Sequence, residues 1–383
     1  MVMRVLVIGG GIGGLTTAVA LRRIGVDVQV TERASAFGEV GAGVQLGPNA
    51  TGVLRDLGLG EALAEIGFAP TVLRLLRWQD DTALGEWPLA EQMIRTYGAP
   101  YYTAYRPDLI ELLSAALPAD IVHLHSKVTG VDPDAPAVTL ADGSTQTADL
   151  VVGADGTHST VRGGTVGDAP ARFSGMCAYR ALIPVQPGDD LSVRVWLGPG
   201  RHVVVYPVGH GPAWLNAVCV VPEPDWQEES WTAPGTAADL RQHFEGWSPV
   251  LRALLDRVSE PVFRWALYDR EPLTAWSTGT TTLLGDAAHP MLPYLAQGAA
   301  QSIEDAAALA VSVDEHDVPA TVHAYEARRR AHTARIQRMA WDNNVVYHLA
   351  DGERQRRRDI DIAEGRGYHP YELSWLYGSK PAA

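Results

Sequence analysis

Residues 3–14 read Met-Arg-Val-Leu-Val-Ile-Gly-Gly-Gly-Ile-Gly-Gly, and this stretch decides the fold. The apolar, β-branched run 3–8 predicts a strand, the glycines break it, and residues 12–24 carry apolar side chains at helical spacing. Gly25 then caps the helix, and residues 26–31 predict a second strand ending at Glu32. The result is a strand-helix-strand unit of about thirty residues. Gly9, Gly11 and Gly14 fit G-x-G-x-x-G at the strand-to-helix junction. The first allows the tight turn, the second lets a pyrophosphate approach the backbone, and the third lets helix and strand pack closely. The helix beginning near Ile12 offers its free N–H groups and positive dipole end to phosphates. Glu32, with Arg33 beside it, stands eighteen positions after Gly14, where an acid can bind a ribose diol and repel a 2′-phosphate. That argues against NADP in this slot and leaves FAD and NAD open.

Working outward, helical segments are expected at 49–66 and 106–117, and a strand at Leu150 to Gly153 leads into Ala-Asp-Gly. Between 176 and 221 the pattern changes to strands at 192–197, 202–208 and 214–221 with no helix between them, which predicts an antiparallel layer. Another buried strand, Thr281 to Leu284, runs into Gly285-Asp286. A small-residue helix follows at 299–311, then a long one at 319–346. The latter carries Arg328, Arg329, Arg330, Arg335 and Arg338, and such a charge run usually forms a solvated face. The expected class is α/β, a Rossmann-type dinucleotide domain with an interleaved antiparallel substrate sheet and a long C-terminal helix. The dinucleotide domain is expected at 1–75, 101–175 and 271–383, the substrate domain at 76–100 and 176–270.

Composition narrows the function. With 383 residues, 46% hydrophobic and 20% charged, the chain can bury a large core. A net charge of -14 repels nucleic acid and anionic lipid. Cys177 and Cys219 lie in apolar runs away from any Cys/His cluster and read as core thiols. His123 and His125 have no carboxylate or cysteine at ligand spacing, so no metal site is expected, and no Ser sits in a G-x-S-x-G elbow. The N-terminal apolar run is too short to span a membrane and meets glycines rather than a cleavage site, so a cytoplasmic protein is expected.

Two further segments decide the cofactor. Asp149-Leu-Val-Val-Gly-Ala-Asp155-Gly156-Thr-His158-Ser159-Thr-Val-Arg162 and Leu284-Gly285-Asp286-Ala287-Ala288-His289-Pro290 each end an apolar strand in an Asp, where ligands sit in open α/β sheets. Read alone, Asp286 fits a helix N-cap and Asp155 a turn. Together the strings closely resemble the later fingerprints of the class A flavoprotein monooxygenases, the family that includes p-hydroxybenzoate and salicylate hydroxylases. The resemblance runs from Val5 to Tyr377. It implies FAD as the cofactor, with Asp286 holding the ribityl and pyrophosphate part and Asp155 associated with both FAD and NAD(P)H. It also implies that Arg106, in Tyr105-Arg106-Pro-Asp-Leu, reaches the flavin, although the family has His where this chain has Tyr105. Gly38, Gly41 and Gly43 are too close together for a second dinucleotide fingerprint, so NAD(P)H is expected to bind transiently.

The same resemblance assigns the reacting face. Pro293-Tyr294-Leu-Ala-Gln297-Gly298 matches the loop that shapes the cavity where the flavin hydroperoxide forms, and the helix after it turns its positive end to the reduced flavin. Gln45, in Gly43-Val-Gln45-Leu-Gly47, matches a run that passes beside the flavin and the substrate. Glu304-Asp305 reads as structural, and so does His289. Alternation places His202, Val204 and Tyr206 on one strand face. Their His-x-x-x-Tyr-Pro arrangement matches the 6-hydroxynicotinate and 3-hydroxybenzoate hydroxylase branch, where these residues contact the substrate. Oxygen transfer to a ring needs an electron-rich ring, and an imidazole of ordinary pKa near 6.5 suits removal of a phenolic proton.

The expected catalytic residues are therefore His202, Tyr206 and Gln297. The expected activity is FAD-dependent, NAD(P)H- and O2-consuming hydroxylation of a small phenolic or heteroaromatic acid by a monomer or homodimer. The alternatives that stay open are an FAD oxidoreductase that acts on a larger natural product without oxygen insertion, and a non-catalytic flavin or ligand carrier. Arg180, Arg194 and Arg201 are the candidates for a substrate carboxylate.

Overall fold

The computed structural model describes residues 2–37, 42–132, 135–168, 170–225, 233–366 and 373–378; Gly38 and Gly41 lie outside them. The opening strand Arg4–Ile8 pairs in parallel with Asp27–Thr31 on one side and Leu150–Gly153 on the other. These belong to a six-stranded sheet continued by Thr281–Leu283 and Ser277–Thr278 at one edge and Val122–His123 at the other. All its pairings are parallel except the last hairpin, Ser277–Thr278 with Thr281–Leu283. Helices cover the central strands, which is why they read as unbroken apolar runs rather than alternating ones. The helix Ile12–Arg23 ends with Gly25 at φ +89°, where the Gly25 N–H reaches the Arg22 carbonyl and the Val26 N–H reaches that of Leu21.

The helical segment expected at 49–66 is two helices, Pro48–Asp56 and Gly60–Ile66. Gly58, at φ +78°, turns the chain between them, a conformation that a continuous helix excludes. The helices at the fingerprint loop and beyond run Gly298–Ser312 and Val318–Val346.

The second layer is an eight-stranded sheet. In spatial order it runs Pro234–Gly235, Val262–Asp269, Arg172–Pro184, Trp214–Pro222, Arg201–Val208, Val193–Gly198, Val72–Arg77 and Ala83–Pro88. Neighbours are antiparallel apart from Val193–Gly198 with Val72–Arg77, a parallel pair made by strands far apart in sequence. One face packs against helices Ala237–His243 and Pro249–Asp256 through Trp196, Phe244 and Leu251. The other face looks toward the dinucleotide layer. Cys177 and Cys219 are buried free thiols in this sheet.

The arginine run on the long helix is not wholly solvated. Arg329 is 2% exposed and fully paired inside the protein, while Arg335 stacks on Trp375 at 3.6 Å. An inward-facing arginine is invisible to a count of charges, because its partners come from a different helix.

Candidate active site

The three glycines differ in the room that the fold leaves around them. A Cβ at Gly9, whose φ is +109°, would sit 2.3 Å from the Ala154 carbonyl oxygen. A Cβ at Gly14 would sit 1.9 Å from the Gly9 carbonyl oxygen, so neither position has room for a side chain. Around Gly11 no atom lies within 4 Å of such a Cβ. Gly11 instead lines a cavity of about 820 Å³ that opens between the two sheets.

Two helix N-termini meet this cavity, one at Gly11–Gly13 and one at Gly298–Ala299. Arg33, Gln45, Arg106, Asp155, Asp286 and Gln297 line it as well. Gly9, Gly14 and Glu32 do not. The Glu32 carboxylate accepts the Gly10 N–H at 2.6 Å and the Ala34 N–H at 2.8 Å, so it braces the glycine turn. Asp155 accepts the Thr160 and Val161 N–H groups at 2.7 and 3.2 Å and the Ser159 hydroxyl at 2.5 Å, which ties the start of the next helix.

Asp286 is different. Among the described residues no hydrogen bond reaches its carboxylate. Burial holds it above the ordinary carboxyl range and Asp305 adds to this, while His289 and Arg106 oppose it. Arg106 starts the helix Arg106–Ala115, and burial lowers its pKa against the pull of Asp286 and Glu32. An acceptor and a cation thus stand open to the cavity beside two positive helix ends. A dinucleotide needs this donor and acceptor set for its diphosphate and hydroxyls.

The wall under Gln297 is a buried polar network. The Gln297 side-chain carbonyl accepts Asn49 Nδ2 at 3.0 Å and Gln301 Nε2 at 2.9 Å. Arg329 donates to Glu304 and Asp305, both at 2.7 Å, and to the Gln301 side-chain oxygen at 2.6 Å. Asp305 also meets His289 Nε2 at 2.6 Å and the Gly285 N–H at 3.0 Å. Burial works to raise the Asp305 pKa, but His289 and Arg329 outweigh it and hold it at about 2. The network fixes the Gln297 amide with its NH2 group unspent among the described residues. Ala296 immediately before it adopts the left-handed conformation at φ +52°, which turns the chain from the Pro293–Leu295 turn into the helix.

The opposite wall is one face of the eight-stranded sheet. His202, Val204 and Tyr206 pair with Val220, Val218 and Asn216. Val204 pairs on its other side with Val195, and Val195 with Leu75. All of these except Asn216 line the cavity, so a mostly aliphatic face carries an imidazole and a phenol, as alternation along the strand predicts.

A hydrogen-bond chain sets the state of His202. His348 Nδ1 lies 2.6 Å from the Asn344 carbonyl oxygen, which can only accept, so this nitrogen carries the proton. Burial pushes His348 down to about 4 and His202 well below 6.5, so both rings are neutral. His348 Nε2 therefore accepts from His202 Nδ1 at 2.7 Å, and His202 Nε2 keeps its lone pair. Tyr294 and Tyr347 pack edge-on against the His202 ring. Tyr101 donates to the Gln45 oxygen at 2.7 Å, and Gln45 in turn hydrogen-bonds Tyr206. Burial raises Tyr206 to about 12, so its hydroxyl stays protonated.

Sequence reasoning did not find His348, which is 146 positions from its partner, nor the roles of Asn49, Gln301 and Arg329. Only Glu304-Asp305, read as structural, hinted at that network.

One cavity thus joins a Rossmann turn to an antiparallel sheet that carries an imidazole and a phenol, the arrangement expected of a flavoprotein aromatic hydroxylase. The chain belongs to the FAD binding domain family, whose match spans residues 2–340. It is 39% identical to a 3-amino-4-hydroxybenzoate 2-monooxygenase of Streptomyces platensis, over 99% of this chain and 96% of that one. It is 38% identical to a 6-hydroxynicotinate 3-monooxygenase of Bordetella bronchiseptica, over 89% and 91% of the two chains. HpxO of Klebsiella pneumoniae, solved with FAD and uric acid, superposes with a TM-score of 0.86 at 25% identity, covering 97% of this chain and 95% of that chain. The protein is accordingly an FAD-dependent aromatic monooxygenase. Among the described residues no helix is long and apolar enough to cross a membrane.

Proposed function

We propose that this enzyme hydroxylates a phenolic benzoate, with 3-amino-4-hydroxybenzoate the first compound to try, using NAD(P)H and O2. The observation that carries the reading is the His202 Nε2 lone pair, held on an aliphatic sheet face across the cavity from Gln297 and Asp286. Relatives of full-length coverage that act on 3-amino-4-hydroxybenzoate support the choice of first substrate.

Gly11, Arg106, Asp286 and Gly298 would hold FAD, with Arg33 and Asp155 at the rim and Gly9, Gly14 and Glu32 keeping the turn in shape. When bound, FAD supplies electron transfer from NAD(P)H to O2 and delivery of an oxygen atom to the ring. The rest falls to side chains. His202 Nε2 accepts the hydrogen of the ring hydroxyl, which raises the electron density of the ring. A neutral imidazole suits that task, and a phenolate forming beside it would raise its pKa and help it keep the proton. Tyr206, protonated and accepting from Gln45, donates its own hydrogen to an oxygen of the substrate. Gln297 offers its NH2 group from the far wall. The valines between keep water from the ring.

We further propose that the chain is cytoplasmic, works as a monomer or homodimer, and divides into substrate segments 76–100 and 176–270 within an FAD domain formed by the rest. The test is NADH and NADPH oxidation by the purified holoenzyme with 3-amino-4-hydroxybenzoate, 6-hydroxynicotinate and 3-hydroxybenzoate. Stimulated oxidation with a product heavier by one oxygen atom is expected. Oxidation that no compound stimulates, with no new product, would sink the reading.

A further inference from the structure

Of the three arginines that the sequence offers for a substrate anion, the fold separates one. Arg201 turns toward the helix Ala237–His243, donating to the His243 carbonyl, and lines a separate surface hollow with Glu223 and His243. Arg194 leans on Trp196 near Asp189, Asp190 and Asp81 and does not line the main cavity. Arg180 does line it.

Arg180 pairs with Val218 in the sheet, in the row that continues to Val204 between His202 and Tyr206. Its guanidinium lies 4.1 Å over the Trp265 ring, which holds it in place without neutralising it. Its Nε is buried with no hydrogen-bond partner among the described residues. The charged or titratable groups it senses are Tyr206, which stays neutral, and Arg106, which is like-charged. Burial lowers its pKa to about 10, so it still carries its charge at neutral pH. The remaining acids of the cavity are engaged elsewhere, Asp155 on backbone N–H groups and Asp286 facing Arg106. A buried cation without a counter-charge is costly, and a planar guanidinium accepts a carboxylate in bidentate fashion.

We infer that Arg180 is the residue that binds the substrate carboxylate and sets the enzyme's preference for aromatic acids. The ring then lies on the valine face, with its carboxylate toward Arg180 and its hydroxyl toward His202. This rests on the proposed phenolic-acid reading.

The test compares binding of each of the three acids named above with that of its carboxamide, read from the visible spectrum of the FAD-loaded protein. Wild-type protein is expected to bind at least one acid more tightly than its amide by about 30-fold or more, the loss typical of removing one partner of a buried charge pair. Arg180→Gln should erase that ratio by weakening the acid alone, with the amide affinity and bound FAD unchanged, and Arg180→Lys should keep part of it. A preference for the acid that survives in Arg180→Gln would overturn the assignment while leaving the hydroxylase reading intact. Loss of acid and amide affinity together would equally overturn it, as that would mark a packing role. Wild-type protein that binds none of the acids would overturn the assignment and the phenolic-acid reading together.

Discussion

The two walls of the cavity are built on opposite terms. On the dinucleotide side most polar groups are already spent: Glu32 on the glycine turn, Asp155 on a helix start, and Arg329, Glu304, Asp305, Gln301 and Asn49 on one another and on Gln297. On the sheet side the polar groups that line the cavity keep a valence unspent among the described residues: Nε2 of His202, the hydroxyl hydrogen of Tyr206 and Nε of Arg180. The first wall fixes a large cofactor in one place, while the second leaves recognition of a small, exchanging ligand to a few groups on an aliphatic surface. Substitutions on the two sides should therefore fail differently.

The largest effect is expected in the satisfied wall. Arg329→Met leaves Glu304 and Asp305 buried without their cation and should cost about 3–5 kcal/mol of folding stability in urea unfolding. A loss under about 1 kcal/mol would mean that the network is not mutually dependent.

The next concerns the sheet wall and acid. The folded-state pKa of His348, about 4, lies below the ordinary 6.5, so the unfolded chain binds the extra proton first. The stability it contributes is present in full above pH 6.5 and is lost as pH falls toward 4, by up to about 3 kcal/mol. His202 is displaced the same way and shares the contact. His348→Gln should show a shallower acid decline of the urea midpoint, and an unchanged slope would contradict the neutral pair.

The glycines give a third, internal contrast. Gly14→Ala drives a methyl into the Gly9 carbonyl and should cost about 1–3 kcal/mol. Gly11→Ala meets no protein atom and should leave the apoprotein within about 0.5 kcal/mol of wild type while weakening FAD retention. A similarly modest effect is expected at Asp155→Ala, about 1 kcal/mol for the Thr160 and Val161 N–H groups left without their acceptor. A far greater loss of bound FAD there would show that Asp155 serves the cofactor directly.

Much of the dinucleotide wall was legible because its signals are local. Gly9, Gly11 and Gly14 fall within one strand-helix-strand unit whose spacing carries the argument, whereas Glu32, expected at a ribose diol, spends its carboxylate on the Gly10 and Ala34 N–H groups. The pairing of His202 with Tyr206 was legible for the same reason, through alternation along one strand. What stayed hidden depends on register between distant segments. Arg180 could not be told from Arg194 and Arg201 until the strand Arg172–Pro184 was seated against Trp214–Pro222. His348 lies just beyond the end of the long helix and carries no mark of its contact with His202. Arg329 sits among arginines that sequence reads as a solvated face, and only the packing of that helix on Gly298–Ser312 turns it inward.

The division between the walls is tested most directly by FAD content and hydroxylation in the double variant His202→Ala, Tyr206→Phe. The account predicts FAD retained as in wild-type protein, with product formation reduced by about 10²-fold or more. Protein that emerges without flavin, or that hydroxylates at the wild-type rate, would contradict it.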